Sequence, residues 1–217
     1  MDIKWYGHAA FKITTENGTT IIIDPYQPGF SDALSYGLIE DEADIVITSH
    51  EHGDHNYVKG IRGKYDHVKK QGGYDLKGVK IVTIPTFHDT ASGKERGANL
   101  LSVISADGMT VLHLGDLGHD LDKAVLKNIG KVDVLLIPVG GFYTIDAKAA
   151  TKLMNSIKPL ITIPMHYKTD KCGFPITGVE EFTRGKENVR TLSRSDLKVA
   201  VENLPKKAEI VVLQHAL

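Results

Sequence analysis

The residues with the clearest capacity for chemistry form one short string, His50-Glu51-His52-Gly53-Asp54-His55. In an extended segment, side chains two positions apart point the same way, so His50 and His52 can bind one ion together. Asp54 and His55 are adjacent, and a bend at Gly53 would let both face a second ion. Imidazole and carboxylate groups are ligands of zinc, and also of manganese or iron. The string therefore predicts a site for divalent metal ions; the alternative is a polar, histidine-rich turn.

One string cannot complete two coordination spheres, because each ion needs about four ligands. Further donors follow the ends of predicted strands, where layered α/β proteins gather their functional side chains. Five apolar runs lead into such positions, namely Asp24, His50, His88, Asp116 and His166. A sixth run ends in Gly140-Gly141, which would let the backbone pass close to the site. We expect these distant residues to converge.

This set of residues resembles the ligand pattern of the metallo-β-lactamase superfamily. The resemblance implies three ligands for a first ion, His50, His52 and His88, and three for a second, Asp54, His55 and His166. It also implies that Asp116 bridges the two ions and that Asp24 supports the string by hydrogen bonding without binding metal. The implied fold is an α/β, four-layered αββα sandwich with the site at one edge, between two sheets.

The flanking segments resemble, more narrowly, the short metal-dependent hydrolase branch that is related to ascorbate-6-phosphate lactonase. They are Gly7-His8-Ala9, Phe87-His88-Asp89, Arg96-Gly97-Ala98-Asn99, His113-Leu114-Gly115-Asp116 and Pro164-Met165-His166-Tyr167. The resemblance implies a hydrolase in which a hydroxide bridging two divalent ions attacks an ester, lactone or phosphoester. Zinc is the first expectation, with manganese or iron as alternatives. Because the cations outweigh the charge of their ligands, the expected substrate is a small anion.

Other polar side chains near this predicted site could take part in the reaction. Asp54 could orient the hydroxide, and the candidates for protonating the leaving group are His8, His119 and Tyr143. Packing or ordinary hydrogen bonding explains each of these three about as well. A core role is the stronger expectation for His113, and a surface role for His67 and His215.

Two basic residues are candidates for recognising an anionic substrate. Arg96 lies in a loop after His88, and Lys168 stands two residues after His166. Arginine offers bidentate geometry to a phosphate or carboxylate. An ion pair between Arg96 and Asp89 or Glu95 is an equally good explanation of that arginine.

The elements that must position these groups begin with β-strands and then alternate strand and helix. Strands are predicted at residues 3–6, 10–14, 19–23, 45–48, 79–87, 100–105, 109–114, 132–139, 160–165 and 209–213. Helices are predicted at residues 121–128, after Asp120, at 147–156, after Thr144 or Asp146, and at 179–183 and 196–202. Residues 25–38 are either a lid or an ordinary connection. No linker or repeat divides the chain, so residues 1–217 are predicted to form a single domain.

Composition limits the classes of protein to consider. The 217 residues are 41% hydrophobic and 24% charged with a net charge of −1, which excludes a disordered chain. Nothing supplies the broad positive field of a nucleic-acid-binding protein. The single cysteine, Cys172, indicates a reducing cytoplasm, and no apolar run is long enough for a membrane span. A small-molecule substrate is the expected partner, and the sequence permits a homo-oligomer.

Three alternatives remain beside the hydrolase. An RNA or nucleotide phosphodiesterase of this superfamily usually carries an inserted clamp or a basic arm, for which this chain has no room. A flavin-linked redox relative has glutamate at the position of His52. An inactive metal-binding protein would be expected to lose ligands, and none is missing here.

Overall fold

Two mixed β-sheets and three α-helices make up the computed structural model, which describes residues 1–217. The strands are β1 (Asp2–Gly7), β2 (Ala10–Thr14), β3 (Thr20–Ile23), β4 (Ile45–Ile47), β5 (Asp66–Val68), β6 (Gly72–Leu76), β7 (Val79–Phe87), β8 (Ala98–Ala106), β9 (Met109–His113), β10 (Val134–Pro138), β11 (Ile161–Met165), β12 (Val189–Thr191), β13 (Asp196–Lys198) and β14 (Glu209–Val212). The helices are α1 (Lys123–Ile129), α2 (Ala147–Ile157) and α3 (Val179–Thr183).

The first sheet has six strands in the order β13-β1-β2-β3-β4-β5, and the second has eight in the order β12-β14-β11-β10-β9-β8-β7-β6. In the first sheet β3, β4 and β5 run parallel, and in the second β9, β10, β11, β14 and β12 do so. The carboxyl ends of neighbouring parallel strands lie at the same edge of a sheet. This arrangement brings together loops that are far apart in sequence.

The main core joins the two sheets. A cluster of 44 buried residues includes Ile3, Trp5 and Ile13 of the first sheet together with Val111 and Leu136 of the second. These residues alternate along their strands or lie on strands buried on both faces, as a two-sheet packing requires. The sheets therefore form a rigid frame for the loops at their edge.

Each of the two longer helices begins at an aspartate cap. Asp122 accepts a hydrogen bond from Val125 N in α1, and Asp146 accepts one from Ala149 N in α2, both at 2.8 Å. Asp146 was one of the two caps predicted for α2. Helix α1 begins two residues later than predicted, because Asp122 and not Asp120 occupies the capping position.

The helix predicted at residues 196–202 is absent. Residues Asp196–Lys198 form β13, which pairs with β1, and only Val201–Asn203 make a short 3-10 turn. Hydrogen bonds with β1 stabilise this edge segment as a strand and outweigh its local preference for a helix. None of the α-helices is both long and apolar enough to span a lipid bilayer.

The outer face of the six-stranded sheet is covered by irregular segments. A second buried cluster packs Tyr26, Tyr36 and Cys172 from these segments against Tyr6 and Val46 of the sheet. The stretch at residues 25–38 contributes to this cover, and it also reaches the site, as described below.

Candidate metal centre

Asp116, just beyond β9, lies at the centre of a group of four histidines. Its Oδ2 atom is 3.0 Å from Nε2 of His88, 3.2 Å from Nε2 of both His55 and His166, and 4.0 Å from Nε2 of His50. These histidines follow β4, β7 and β11, so the strand ends converge as the sequence predicts. A single carboxylate oxygen thus faces donors from three separate segments.

The donors around Asp116 fall into two main groups with metal-binding spacing. One contains His50, His52 and His88, and the other contains His8, Asp54, His55 and His166; within each group the ligand atoms lie within 4.8 Å of one another. These groups match the two ligand sets that the resemblance implies, with His8 as an addition to the second. Asp116 lies between them.

The backbone around Asp116 is packed too tightly for any larger residue before it. Gly115 adopts φ +52°, and a Cβ atom there would lie 2.3 Å from Asn99 Oδ1 and 2.6 Å from Ser49 Cβ. Asn99 in turn accepts a hydrogen bond from Asp116 N at 2.9 Å. Asn99, which sequence reasoning did not single out as a site residue, therefore fixes the position of this carboxylate.

Asp24 supports the histidine string from beneath, in the way the resemblance implies. It is fully buried, and its carboxylate accepts hydrogen bonds from Ser49 N at 2.7 Å, Ser49 Oγ at 2.6 Å and His55 Nδ1 at 2.9 Å. Because Nδ1 of His55 donates to Asp24, Nε2 is the nitrogen that faces Asp116 and that would bind a metal ion. Ser49 Oγ also contacts Nδ1 of His50 at 2.9 Å.

His8 is the one member of the second group that the resemblance does not imply as a metal ligand. Its Nε2 is 3.3 Å from Oδ2 of Asp54, and its ring lies 4.0 Å from that of His166. Burial, with His166 nearby, lowers the pKa of His8 to about 4. The neutral imidazole therefore donates its Nε2 proton to Asp54, an arrangement that suits a positioning residue better than the predicted proton donor.

Metal binding requires neutral histidines and ionised carboxylates. Burial and the neighbouring charges favour these states at some residues of the site and oppose them at others. Burial, with His55 nearby, lowers the pKa of His50 to about 3, so this ring is neutral. Although burial opposes ionisation of Asp116, the neighbouring His166 and His55 outweigh it and hold its pKa well below the usual range. Burial likewise opposes a charged His55, but Asp116 and Asp54 raise its pKa well above 6.5 in the metal-free protein.

Several buried polar atoms at the centre have no hydrogen-bond partner. They include Nε2 of His50, Nε2 of His55, Oδ1 of Asp54 and Oδ1 of Asp116, beside Nδ1 of His8, His88 and His166. Such atoms are rare in folded proteins because each costs free energy unless something pairs with it. All of these are imidazole nitrogens or carboxylate oxygens, which are the donors of zinc, manganese and iron sites. The residues present therefore fit divalent metal ions.

Backbone strain is concentrated at the same place. His8, Asp24 and His166 all adopt left-handed conformations, with φ of 51°, 47° and 50°. For residues other than glycine this costs on the order of 1–3 kcal/mol each, and it persists only where the surroundings hold it. His8 O accepts hydrogen bonds from His166 N and Trp5 Nε1, both at 3.0 Å, which ties two of these residues together.

Gly53 in the string has a different role from the one predicted. Its φ is not positive, but a Cβ atom there would lie 2.6 Å from the ring of Phe30. The glycine is therefore needed for close packing rather than for a sharp bend. Gly140 does meet the expectation of close backbone approach, because a Cβ there would lie 2.3 Å from His166 O.

A cavity of about 340 Å³, here called the metal cavity, opens directly above these residues. It is lined by metal-ligand candidates, by charged residues and by aromatic rings, namely His52, Asp54, His88, Asp116, His166, Ser31, Glu95, Arg96, Phe30, Tyr143 and Phe174. Of the three predicted proton donors, only Tyr143 lines it. Arg96 also lines it, 5.8 Å above the ring of Tyr143 and 3.9 Å from Glu95.

Two predicted site residues lie elsewhere. His119 accepts a hydrogen bond from Phe87 N through Nε2 and donates through Nδ1 to Asp120 O, so neither nitrogen is available to a substrate. Lys168 Nζ donates to Phe174 O at 2.9 Å and does not line the metal cavity. The structure thus places neither residue where its predicted role requires.

The loop that carries Arg96 is held by a residue that sequence reasoning considered only as an ion-pair partner. Asp89 accepts four backbone hydrogen bonds, from Ala91, Gly93, Glu95 and Arg96, at 2.7 to 3.0 Å. Burial raises the pKa of Asp89, but these donors outweigh it and lower it to about 2. An aspartate followed closely by Ser92-Gly93 is the signal that could have indicated such a turn.

Comparison with known proteins agrees with this geometry. The Beta-lactamase superfamily domain matches residues 2–166, which include every candidate ligand. The chain belongs to the metallo-β-lactamase superfamily. The predicted family and α/β fold are therefore confirmed.

Within the superfamily, the chain is similar to proteins named metal-dependent hydrolases. It is 31% identical over 192 residues to a UPF0173 metal-dependent hydrolase of Pyrococcus abyssi and 32% identical to one of Thermococcus onnurineus, covering 77% of this chain and 84% of each relative. A crystal structure of a metallo-β-lactamase superfamily protein from Thermotoga maritima matches with a TM-score of 0.82 and 35% identity. That match covers 98% of this chain and 97% of the other.

Proposed function

We propose that this superfamily member is a metal-dependent hydrolase that uses two divalent ions to cleave an ester, lactone or phosphoester of a small anionic substrate. The observation that carries the proposal is the position of Asp116, with one oxygen between two groups of metal-ligand candidates. The relatives named as metal-dependent hydrolases support the reaction class. Zinc is the expected metal, with manganese or iron as alternatives.

In this proposal His50, His52 and His88 would hold one ion, Asp54, His55 and His166 would hold the other, and Asp116 would serve both. Two divalent ions at this site would lower the pKa of a water molecule to about 7 and withdraw charge from the reacting oxygen of the substrate. The protein contributes fixed ligand positions, which Asp24 and Asn99 maintain through their hydrogen bonds. Closely packed surroundings keep these groups from relaxing.

The leaving group needs a proton, and Tyr143 is the best-placed donor. It lines the metal cavity beside Arg96, whose guanidinium carbon lies 5.8 Å from the centre of the Tyr143 ring. Asp54 can orient the attacking water, since His8 holds one of its oxygens and leaves the other free. We also propose that residues 1–217 act as one domain in the cytoplasm, where the buried Cys172 stays reduced.

Metal analysis followed by a substrate panel tests this function. The panel contains a phosphodiester, a lactone, an ester, a thioester and a lactam, each assayed before and after removal of the metal with a chelator. We expect about two equivalents of metal per chain and hydrolysis that disappears on chelation and returns on reloading.

His52→Ala and His166→Ala should each lower metal content and abolish most of the activity. Full occupancy and turnover in both variants would falsify the ligand assignment.

Arg96 should determine affinity for the anionic part of the substrate. Because its guanidinium group lines the cavity and is about one-third exposed, we expect Arg96→Ala to raise KM for an anionic substrate roughly three- to tenfold. A neutral substrate of the same shape should be affected less than twofold, and kcat should change little. Steady-state kinetics on a matched pair of substrates measures this. An equal rise in KM for both substrates would exclude the recognition role.

A further inference from the structure

The metal cavity does not end at the metal-ligand candidates. A second cavity of about 410 Å³, here called the lysine groove, shares His52 and Arg96 with it. The lysine groove runs past His50 and Glu51 to Lys69 and Lys70. A ligand larger than the metal cavity can therefore extend into this groove while keeping its reacting bond at the centre.

The lysine groove has an excess of free positive charge. Neither Lys69 nor Lys70 lies within 4.0 Å of a carboxylate, in contrast to Lys12, Lys77, Lys131 and Lys152, which form ion pairs. Glu51, the acidic residue of this groove, is engaged by Asn56 Nδ2 at 2.6 Å. Lys69, Lys70 and Arg96 line the groove with one carboxylate, that of Glu51, and Arg96 at the junction also lies 3.9 Å from Glu95 of the metal cavity, so the two lysines carry the excess. Opposite charge in an open cleft attracts an anion and favours its binding.

The backbone that carries these lysines is fixed. Tyr74 Oη and Thr83 Oγ1 both donate to Lys70 O, at 2.9 Å and 2.7 Å, and Gly72 N donates to Thr83 Oγ1 at 2.9 Å. These bonds tie the segment between β5 and β6 to β7, the strand that leads to His88. The backbone of this lysine pair therefore has a fixed position relative to the metal-ligand candidates, and its flexible side chains can reach the groove from there.

The wall of the metal cavity has the opposite character. Phe30, Tyr143 and Phe174 line it, and the rings of Tyr143 and Phe174 meet edge to face at 5.5 Å. The ring of Phe30 packs against Gly53 in the histidine string. An apolar or aromatic part of a ligand can bury its surface here, whereas it would gain little in the lysine groove.

From these contrasting surfaces we propose that the substrate has two parts, an apolar or ring-bearing group on the aromatic wall and an anionic group in the lysine groove. The reacting bond joins the two parts at the metal centre. This inference rests on the proposed hydrolase function and adds to it the recognition of a remote negative charge by Lys69 and Lys70.

A pair of esters that differ only in remote charge tests the inference. Mono-4-nitrophenyl glutarate carries a terminal carboxylate, and 4-nitrophenyl pentanoate is a neutral counterpart. Hydrolysis of either breaks the acyl C–O bond, transfers the elements of water to the acid and the phenol, and releases 4-nitrophenol. In the metal-loaded protein we expect the Lys69→Ala/Lys70→Ala variant to lose roughly three- to tenfold in the kcat/KM ratio of glutarate to pentanoate.

The matched control is Lys206→Ala/Lys207→Ala, which removes the same charge from an exposed segment outside both cavities. Its glutarate-to-pentanoate ratio should equal that of the wild type. An unchanged ratio in the Lys69/Lys70 variant, or an equal loss in the control, would overturn the lysine groove as an anion site. In either case the proposed hydrolase function would stand.

Binding of an uncleaved analogue separates recognition from reaction. Calorimetry with glutaric acid mono-4-nitroanilide should show binding to the metal-loaded wild type that is weakened roughly three- to tenfold in the Lys69/Lys70 variant. If the anilide binds in this way but neither ester is hydrolysed, the lysine groove is supported as an anion site and the proposed reaction is contradicted. Phe174→Leu should weaken the anilide roughly two- to tenfold and leave glutarate itself unaffected. No binding to the wild type, or equal binding by the variants, would overturn the two-part substrate.

Discussion

Asp116→Asn is expected to remove both ions and to lower hydrolysis by at least about a hundredfold. In the wild type the Oδ2 atom of Asp116 lies 3.0 to 4.0 Å from four imidazole nitrogens, and these belong to both groups of donors. An asparagine has one acceptor oxygen and no charge, and its NH₂ group would face nitrogens that must also act as ligands. Loss of even a supporting partner at a metal site costs about 10–100-fold in affinity or activity. Metal content and kcat/KM measure the effect.

Asp54→Asn is the informative comparison. Asp54 lies near His8 and His55, at 3.3 Å and 3.8 Å, and belongs to the second group of donors alone. This variant should therefore keep about one equivalent of metal while Asp116→Asn keeps close to none. Asp44→Asn, which changes a carboxylate bound to Thr20 and Lys77, provides the control for the chemical substitution. If the two site variants lost the same ion, Asp116 would not have the shared role.

The convergence of the candidate ligands could be predicted because it depends on a regular feature of the fold. His50, His88, Asp116 and His166 each follow an apolar run, and those runs are strands whose ends meet at one edge. The sequence shows which residues follow a predicted strand, and the packing of the two sheets brings the ends of those strands together. Asp24 followed the same rule, at the end of β3.

The roles of single polar residues could not be predicted in the same way. His8 and His119 are equally close to predicted site segments, yet one supports Asp54 and the other binds the backbone of Phe87. The difference comes from side-chain direction and from contacts with distant parts of the chain. His113 was expected in the core, and there it accepts from Gly115 N and donates to Ala9 O, which satisfies both nitrogens.

The strands that were missed are short and polar. β5, β6, β12 and β13 contain three to five residues each, and all four lie at or near a sheet edge. Their hydrophobic pattern is weak because one face is exposed, so only the hydrogen bonds of a neighbouring strand define them. Lys69 and Lys70 lie between β5 and β6, two of these unpredicted strands. Their position beside the metal-ligand candidates therefore could not be predicted from the sequence.

Asp24→Asn is expected to weaken binding of the second ion by about 10–100-fold through the tautomer of His55. The Oδ2 of Asp24 accepts from Nδ1 of His55 at 2.9 Å, and this bond makes Nε2 the nitrogen that would bind the metal in exchange for its proton. In one orientation the asparagine NH₂ donates to Nδ1, which moves the ring proton to Nε2 and blocks the ligand. In the other orientation the NH₂ meets Ser49 N–H, which at present donates to Oδ1 at 2.7 Å. Either orientation loses a buried hydrogen bond.

Two measurements separate this effect from simple loss of stability. Metal affinity should fall for the second ion and change less for the first, because His50, His52 and His88 do not contact Asp24 directly. At a pH above the raised pKa of His55, where the ring is neutral, the ring nitrogen shifts in NMR spectra of the metal-free wild type and variant should report the change from an Nδ1 proton to an Nε2 proton. Unfolding by denaturant gives the free energy that the buried bond contributes. A variant that was less stable but bound both ions with wild-type affinity would show that Asp24 stabilises the fold without orienting His55.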